Sequence, residues 1–400
     1  MSTLTVTAAE RRRLLVRRHL LDGSGTSAND VAERLVAIHA TDPATPFLSV
    51  LARSRTATIA DVSAAMYDER SLVRWMAMRR TVFVLDREVV PDVQASVSGP
   101  LAEVLRRRLV TVLTKNGALP VGTDVPGWVG DVEAGVRGAF STLSAASGAE
   151  LSAVEPRLRT PIPPRMPSDT RQNVTSSLLA MMSAAGEIVR AVPVGPWTTR
   201  QHRWQDVGQW WPEGIEFPDP ADAAQRLAER WLRAYGPATV DDLQWWTGWS
   251  KTTTRKALQG LSLVSVDLDK VDGVDLARTS RTPREETVDS SAGPDAPTIA
   301  LLPALDSTAM GWKHRHWYSP ADTKGFYDNV GNIGPTIWWN GSIVGVWAST
   351  ATGIRTRLLV DGGEALRLAV GSATETLEKR LHGTVVTPAI RTPMERMLRS

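Results

Sequence analysis

Three amphipathic helices joined by turns too short to let them separate are written into residues 227–258, and that spacing constrains the fold more than any other feature. Leu227, Trp231 and Ala234 give one apolar stripe before Gly236-Pro237 stops the first helix. Thr239 has the chemistry of an N-cap for a second helix, whose inner face carries Leu243 and Trp246. Gly248 permits the next turn, and Ser250 can cap a third helix that presents Lys251, Arg255 and Lys256 outward. A helix-turn-helix has this layout, and cations on its last helix suit a groove of nucleic acid. The same layout serves as a plain three-helix packing unit with a solvated basic face, and this segment alone leaves both open.

The pattern recurs along the chain, each time followed by a hairpin. An arginine-rich helix holding Arg11, Arg12, Arg13, Arg17 and Arg18 precedes helices at about 28–40 and 60–68. Leu72–Trp75 and Thr81–Leu85 then alternate around a turn, a two-stranded wing carrying Arg74, Arg79 and Arg80. A second copy is predicted from Trp128 to Trp211, with helices at 131–145, near Gly148–Val154 and at about 170–186, and a hairpin that carries Arg200, His202 and Arg203. The third copy closes with strands Leu263–Leu268 and Val274–Arg278. These are repeats of pattern and not of residue identity.

Composition shifts set the boundaries. Residues 156–169 hold five prolines, which suits an extended connection, and 279–297 read as a polar linker. Beyond it Thr298–Leu302, Thr336–Trp339, Ser342–Trp347 and Arg355–Leu359 read as strands around the hairpin turn Asn340-Gly341, and a helix at 363–381 follows. The fold class predicted is mainly α with β-hairpin wings, three tandem winged-helix units plus a C-terminal β-rich domain. Its units fall at residues 1–95, 96–215, 216–292 and 293–400.

Net charge is only +3, so a nucleic-acid surface has to come from local patches, although a charge run such as Arg106-Arg107-Arg108 is more often a solvated face. With no cysteine, disulfides, thiol catalysis and zinc knuckles are excluded. No apolar run approaches the roughly 18 residues of a membrane span, and the start is not built like a signal peptide, so a cytoplasmic protein is expected. Of the 15 tryptophans, the pairs Trp210-Trp211, Trp245-Trp246 and Trp338-Trp339 could stack on bases, but core packing of at least one per pair is the stronger expectation. His314 and His316 share a strand face without an evident third ligand, so no metal is expected.

One further set of residues carries a family resemblance. Leu35-Val36-Ala37-Ile38-His39-Ala40-Thr41-Asp42-Pro43, Met78–Phe83, Ala185–Arg190, Tyr235–Thr239, Leu301–Asp306 and Gly334–Thr336 before Gly345–Trp347 follow in order over nearly the whole chain. Together they resemble the tandem winged-helix DNA glycosylases of the AlkZ and YcaQ type. The resemblance implies three winged helices around a DNA channel and hydrolysis of the N-glycosidic bond of alkylated or bulky-adducted purines, by a monofunctional enzyme without cofactor or metal. Its implied partner is double-stranded DNA and its implied setting the nucleoid, as a monomer, in DNA repair or genotoxin self-resistance.

The resemblance also implies a site. Family members carry Gln-x-Gln or Gln-x-Asp at a helix end to hold the attacking water; here His39 and Thr41 occupy those positions. A neutral His39 can accept a proton from that water, Thr41 can orient it, and Asp42 can support His39 or the sugar cation. Arg74, Arg79, Arg80, Arg200, Arg203, Lys251, Arg255, Lys256 and Arg315 are the candidate DNA contacts. Read without the family, His39 continues the stripe of Val31 and Leu35 and is a buried core histidine, whose helix C-terminus would favour its imidazolium form. A DNA-binding protein without chemistry, a regulator or adduct-binding factor, is the alternative function.

Overall fold

The computed structural model describes residues 4–163, 172–277 and 297–400. Residues 164–169 of the proline-rich connection, the first residues of the helix predicted from 170, Arg278 and nearly all of the polar linker lie outside them. The chain is mixed α/β, with helices alternating with small sheets.

Three times, helices run into a hairpin. In the region expected to form the clearest copy, helices Pro220–Tyr235, Val240–Thr247 and Lys251–Gln259 precede the strands Leu263–Asp267 and Asp272–Leu276. Local chemistry sets their ends. Thr239 and Asp242 form a reciprocal capping box, Gly248 takes the left-handed conformation (φ 76°), and the Ser250 side chain accepts from Thr253 N–H. Helices Val125–Ala139, Gly148–Val154 and Val174–Ala184 precede the hairpin of Ile188–Ala191 and Arg203–Asp206. The first of these starts earlier than the 131–145 expected, because Asp124 caps it by accepting from Gly127 N–H.

The N-terminal region holds the helices Ala8–Arg18 and Ala28–Leu35 and the hairpin Leu72–Met76 with Val82–Asp86. It also holds Thr45–Leu51, a helix that the sequence does not announce: all seven of its residues are buried, so it has no polar face and no amphipathic period. The N-terminal strand Leu4–Thr5 runs parallel to Val266–Asp267 and adds a third strand to the last of the three hairpins. The C-terminal sheet has four antiparallel strands, Ile299–Leu302, Thr336–Trp339, Ser342–Thr350 and Gly353–Leu358, followed by helix Gly363–Leu381. Leu301, Ile337, Trp347 and Leu366 pack with Leu48 and Leu51, so this sheet and its helix share a core with Thr45–Leu51.

The five arginines of the first helix are not a single solvated face. Arg11 and Arg18 are buried, Arg11 lies 4.0 Å over the Trp317 ring, Arg12 donates to Trp317 C=O (2.7 Å) and Arg18 to Gly236 C=O. They fasten the N-terminal helix to the later parts of the chain, with the guanidinium stems supplying packing as well as charge. As expected from facing, Trp246 and Trp338 are 1% exposed while their neighbours are half-buried, and Trp210 and Trp211 are both buried. Among the described residues, no helix is long and apolar enough to cross a membrane.

Candidate active site

The segment from Val36 to Pro43 is built differently from its sequence expectation. The helix predicted to reach residue 40 stops at Leu35, where Val36 takes a positive φ of 61°, and Ile38–His39 pairs with Val84 and Phe83 as a third strand of the hairpin sheet. Val36, Ala37 and Ile38 would bury equally well in either form. The free edge of Val82–Asp86 decides, since it satisfies the backbone groups of 38–40. Distant residues hold the new path: Tyr235 O–H donates to Leu35 C=O (3.0 Å), while Ser307 donates to Ala37 C=O (2.7 Å) and accepts from His39 N–H (3.0 Å). Neither Tyr235 nor Ser307 could be assigned this role from spacing, because both act across the whole fold.

His39 is 3% exposed, its ring 4.9 Å from that of Phe83. Burial, followed by the charge of Arg79, pushes its pKa down to about 3, with Asp306 opposing. The imidazole is therefore neutral at physiological pH, and its removal from a helix end removes the dipole that would have favoured the cation. Thr41 N–H donates to His39 Nδ1 (3.4 Å), which places the ring proton on Nε2. Thr41 itself is exposed. Asp42 is buried, and its carboxylate accepts from Ala44 N–H (2.9 Å) and Ala389 N–H (2.6 Å), so it fixes the loop and ties it to the C-terminal segment.

Beside His39 lies a cationic cluster drawn from three parts of the chain. Arg79 and Arg80 form the tip of the first hairpin in consecutive left-handed conformations (φ 54° and 60°). The Arg79 guanidinium sits 3.9 Å over the ring of Trp245, and Arg315 lies 5.1 Å from the same ring and 5.3 Å from that of Tyr327. Desolvation, with Arg315 next, lowers the Arg79 pKa to about 10, and Arg79 Nε is buried without a hydrogen-bond partner. Among the described residues, neither arginine has a carboxylate within ion-pair distance, whereas neighbouring Lys313 pairs with Asp241 (3.2 Å).

The remaining candidates divide by exposure. Lys251, Arg255, Lys256 and Arg80 are exposed and make no ion pair among the described residues. Arg200 is exposed and donates to Pro388 C=O (3.0 Å). Arg203 donates to Ala145 C=O and lies 3.5 Å from Glu150, which occupies much of its charge. Arg74 corrects the expectation of an outward wing residue: every position of Leu72–Met76 is buried, and Arg74 Nη2 donates to Pro43 C=O (3.0 Å). The face that would have met solvent is covered by the second hairpin region. There, the strand Ile188–Ala191 packs beside Leu72–Met76, and the charge of Arg74 is felt by Arg190.

Comparison with known proteins gives this arrangement a context. The family described as "DNA glycosylase AlkZ-like" matches residues 32–380. An "Interstrand DNA cross-link repair glycosylase" of Streptomyces sahachiroi is 26% identical over 134 residues, 33% of this chain and 36% of the relative. The match thus spans about a third of that curated relative. Among solved structures, Streptomyces sahachiroi DNA glycosylase AlkZ aligns with a TM-score of 0.69 at 20% identity, over 96% of this chain and 99% of that one, a likeness of fold.

Proposed function

This chain belongs to the AlkZ-like DNA glycosylase family, and from that premise we propose that it hydrolyses the N-glycosidic bond of alkylated or bulky-adducted purines, of the N7-guanine type, in double-stranded DNA. The three helix-and-hairpin units are read as tandem winged helices that hold the duplex. Lys251, Arg255 and Lys256 meet phosphates from the third unit, and Arg79 and Arg315 meet DNA beside Trp245. The observation that carries the reading is the His39–Asp42 loop. A neutral imidazole and an exposed threonine stand beside a cation cluster that, among the described residues, has no carboxylate within ion-pair distance.

The chemistry asks little of the base. An N7-alkylated guanine is already cationic. As water oxygen bonds to C1′ and the C1′–N9 bond breaks, the electron pair moves into the purine and quenches its charge, without protonation of the leaving group. The enzyme has to place the water and carry off its proton. The 3.4 Å contact between Thr41 N–H and His39 Nδ1 is long for a hydrogen bond, and a water that replaces it finds an acceptor in Nδ1 and a second partner in Thr41 Oγ1. An imidazole of low basicity suits this task, because an oxocarbenium-like sugar draws the nucleophile in before much proton transfer. Asp42 acts as a positioning residue, with both carboxylate oxygens engaged by backbone N–H.

A single-turnover assay on duplex DNA bearing one N7-alkylguanine, with abasic sites read by alkaline cleavage, tests the reading. Accumulation of abasic sites is expected; intact DNA under tight binding overturns it in favour of a non-catalytic adduct binder. The near-complete burial of His39 is the observation on that second side. Trp245→Ala is expected to weaken binding to the adducted duplex, since loss of a stacking contact costs about 1–3 kcal/mol. Fluorescence anisotropy at fixed salt measures it, and unchanged affinity would remove Trp245 from the DNA surface.

A further inference from the structure

On the other side of the same loop, the strand that carries Arg74 packs beside the strand Ile188–Ala191, which carries Arg190. Arg74 is 5% exposed, and its single hydrogen bond goes from Nη2 to Pro43 C=O. Arg190 is half-buried, its guanidinium 4.9 Å from the Trp204 ring, which His202 meets edge-on at 5.2 Å. The charges of Arg74 and Arg190 both act on Tyr67 and on His202, which puts the four groups in one neighbourhood.

Three donors in this cluster have nothing to bind. Arg74 Nε, Arg190 Nε and the Tyr67 hydroxyl are all buried without a hydrogen-bond partner, and Tyr67 is 9% exposed. Among the described residues, no carboxylate stands within ion-pair distance of either arginine. Asp42 is the acid that feels Arg74 and Arg200, but its oxygens hold Ala44 and Ala389 N–H. Two dehydrated guanidiniums side by side with no counter-charge are costly to fold, and each orphan donor adds to that cost. A group that is anionic, offers several acceptor oxygens and enters from solvent would relieve all of it. The cluster opens to solvent: Arg190 and His202 are half-exposed and Arg200 is exposed, while Arg74 and Tyr67 form the floor.

We infer that Arg74, Arg190 and Tyr67 form a binding site for a phosphate group, whose non-bridging oxygens accept from Arg190, from Arg74 Nε and from the Tyr67 hydroxyl. Arg74 is tied to Pro43, next in the chain to Asp42, so a phosphate held here stands beside the His39–Asp42 loop. Its source is a DNA phosphodiester adjoining the nucleotide presented to that loop. That identification rests on the proposed function; the anion site itself does not.

The test uses the full-length chain with Arg190→Met, Arg190→Lys and Tyr67→Phe, each first checked for an unchanged thermal midpoint in phosphate-free buffer. Binding to an undamaged duplex is followed by anisotropy across a salt series, and the thermal midpoint is followed on adding inorganic phosphate at constant ionic strength. Arg190→Met is expected to lower the salt slope by about 0.9, the value of one phosphate contact, with Arg190→Lys restoring it. Tyr67→Phe is expected to weaken binding several-fold at every salt concentration with the slope unchanged. If the slope is unaffected but millimolar phosphate raises the midpoint of the native chain and not of Arg190→Met, the site stands and takes free phosphate instead. If neither DNA binding nor phosphate stabilisation responds to Arg190→Met, the inference is overturned. Because no excision is read, a chain without glycosylase activity still returns an answer.

Discussion

Replacing Asp306 by Ala is expected to destabilise the fold by about 3–5 kcal/mol, the cost of leaving one partner of a fully buried ion pair unmatched. Arg53 and Asp306 are both 0% exposed and meet in a bidentate pair, Nη2 to Oδ1 at 2.6 Å and Nη1 to Oδ2 at 2.9 Å. Ser49 O–H and Thr308 N–H complete the carboxylate, and Arg53 also donates to His19 C=O, Ser49 C=O and Thr308 Oγ1. Deleting the carboxylate strands a guanidinium between the N-terminal region and the C-terminal module. The double variant Arg53→Met, Asp306→Leu is expected to recover part of the loss, because no buried charge remains. Urea midpoints of the three variants measure this; a loss below about 1 kcal/mol for Asp306→Ala would mean that water reaches the pair.

The same neighbourhood sets the acid limit of the fold. Burial would raise the Asp306 carboxyl, but the Arg53 charge and the hydrogen bonds outweigh it and hold it below 3.8, so its contribution is lost only as pH falls beneath that value. Histidine acts sooner. His19, through burial and then the Arg53 charge, and His39 both have pKa values lowered from 6.5 to about 3. Unfolding lets each take up a proton below pH 6.5, so stability is complete above that pH and declines continuously as pH falls toward 3. At pH 5 the loss is about 2 kcal/mol per histidine. A urea midpoint equal at pH 7.5 and 5 would contradict the burial of both rings.

His39→Ala is expected to slow single-turnover excision of an N7-alkylguanine by about 10²-fold or more, the effect of an attacking water that has lost its acceptor and its placement, with affinity for the adducted duplex little changed. His39→Gln is the sharper variant. The AlkZ-type resemblance puts a glutamine at this position, and an amide oxygen can accept from the water as Nδ1 does. Its rate is expected within about tenfold of the native chain, since water placement outweighs basicity in this reaction. With the pKa of His39 near 3, the native rate is expected to be flat from pH 8 down to 5.5. An inflection near 6.5 that disappears in His39→Gln would show a solvated imidazole and overturn the buried, neutral assignment. A His39→Ala enzyme at full rate would move the water site elsewhere.

What the sequence determined by itself was local. The helix Gly363–Leu381, the hairpin turn at Asn340 and Gly341 with both residues at positive φ (48° and 77°), and the capped helices of 220–259 follow from periodicity, caps and turn chemistry within a few residues. The position of the candidate water site was legible only through the family resemblance, because one histidine on an apolar stripe reads as core. Tertiary structure decided the rest. It ended the helix at Leu35, turned Ile38–His39 into a sheet edge, buried Arg74, gathered two guanidiniums at Trp245 and brought Arg190 to Tyr67. Apolar segments such as 36–40 satisfy helix and strand equally, and an arginine on a strand is solvated or buried according to what covers it. Both choices are made by surfaces that meet from far apart in the chain, and neither periodicity nor spacing carries that information.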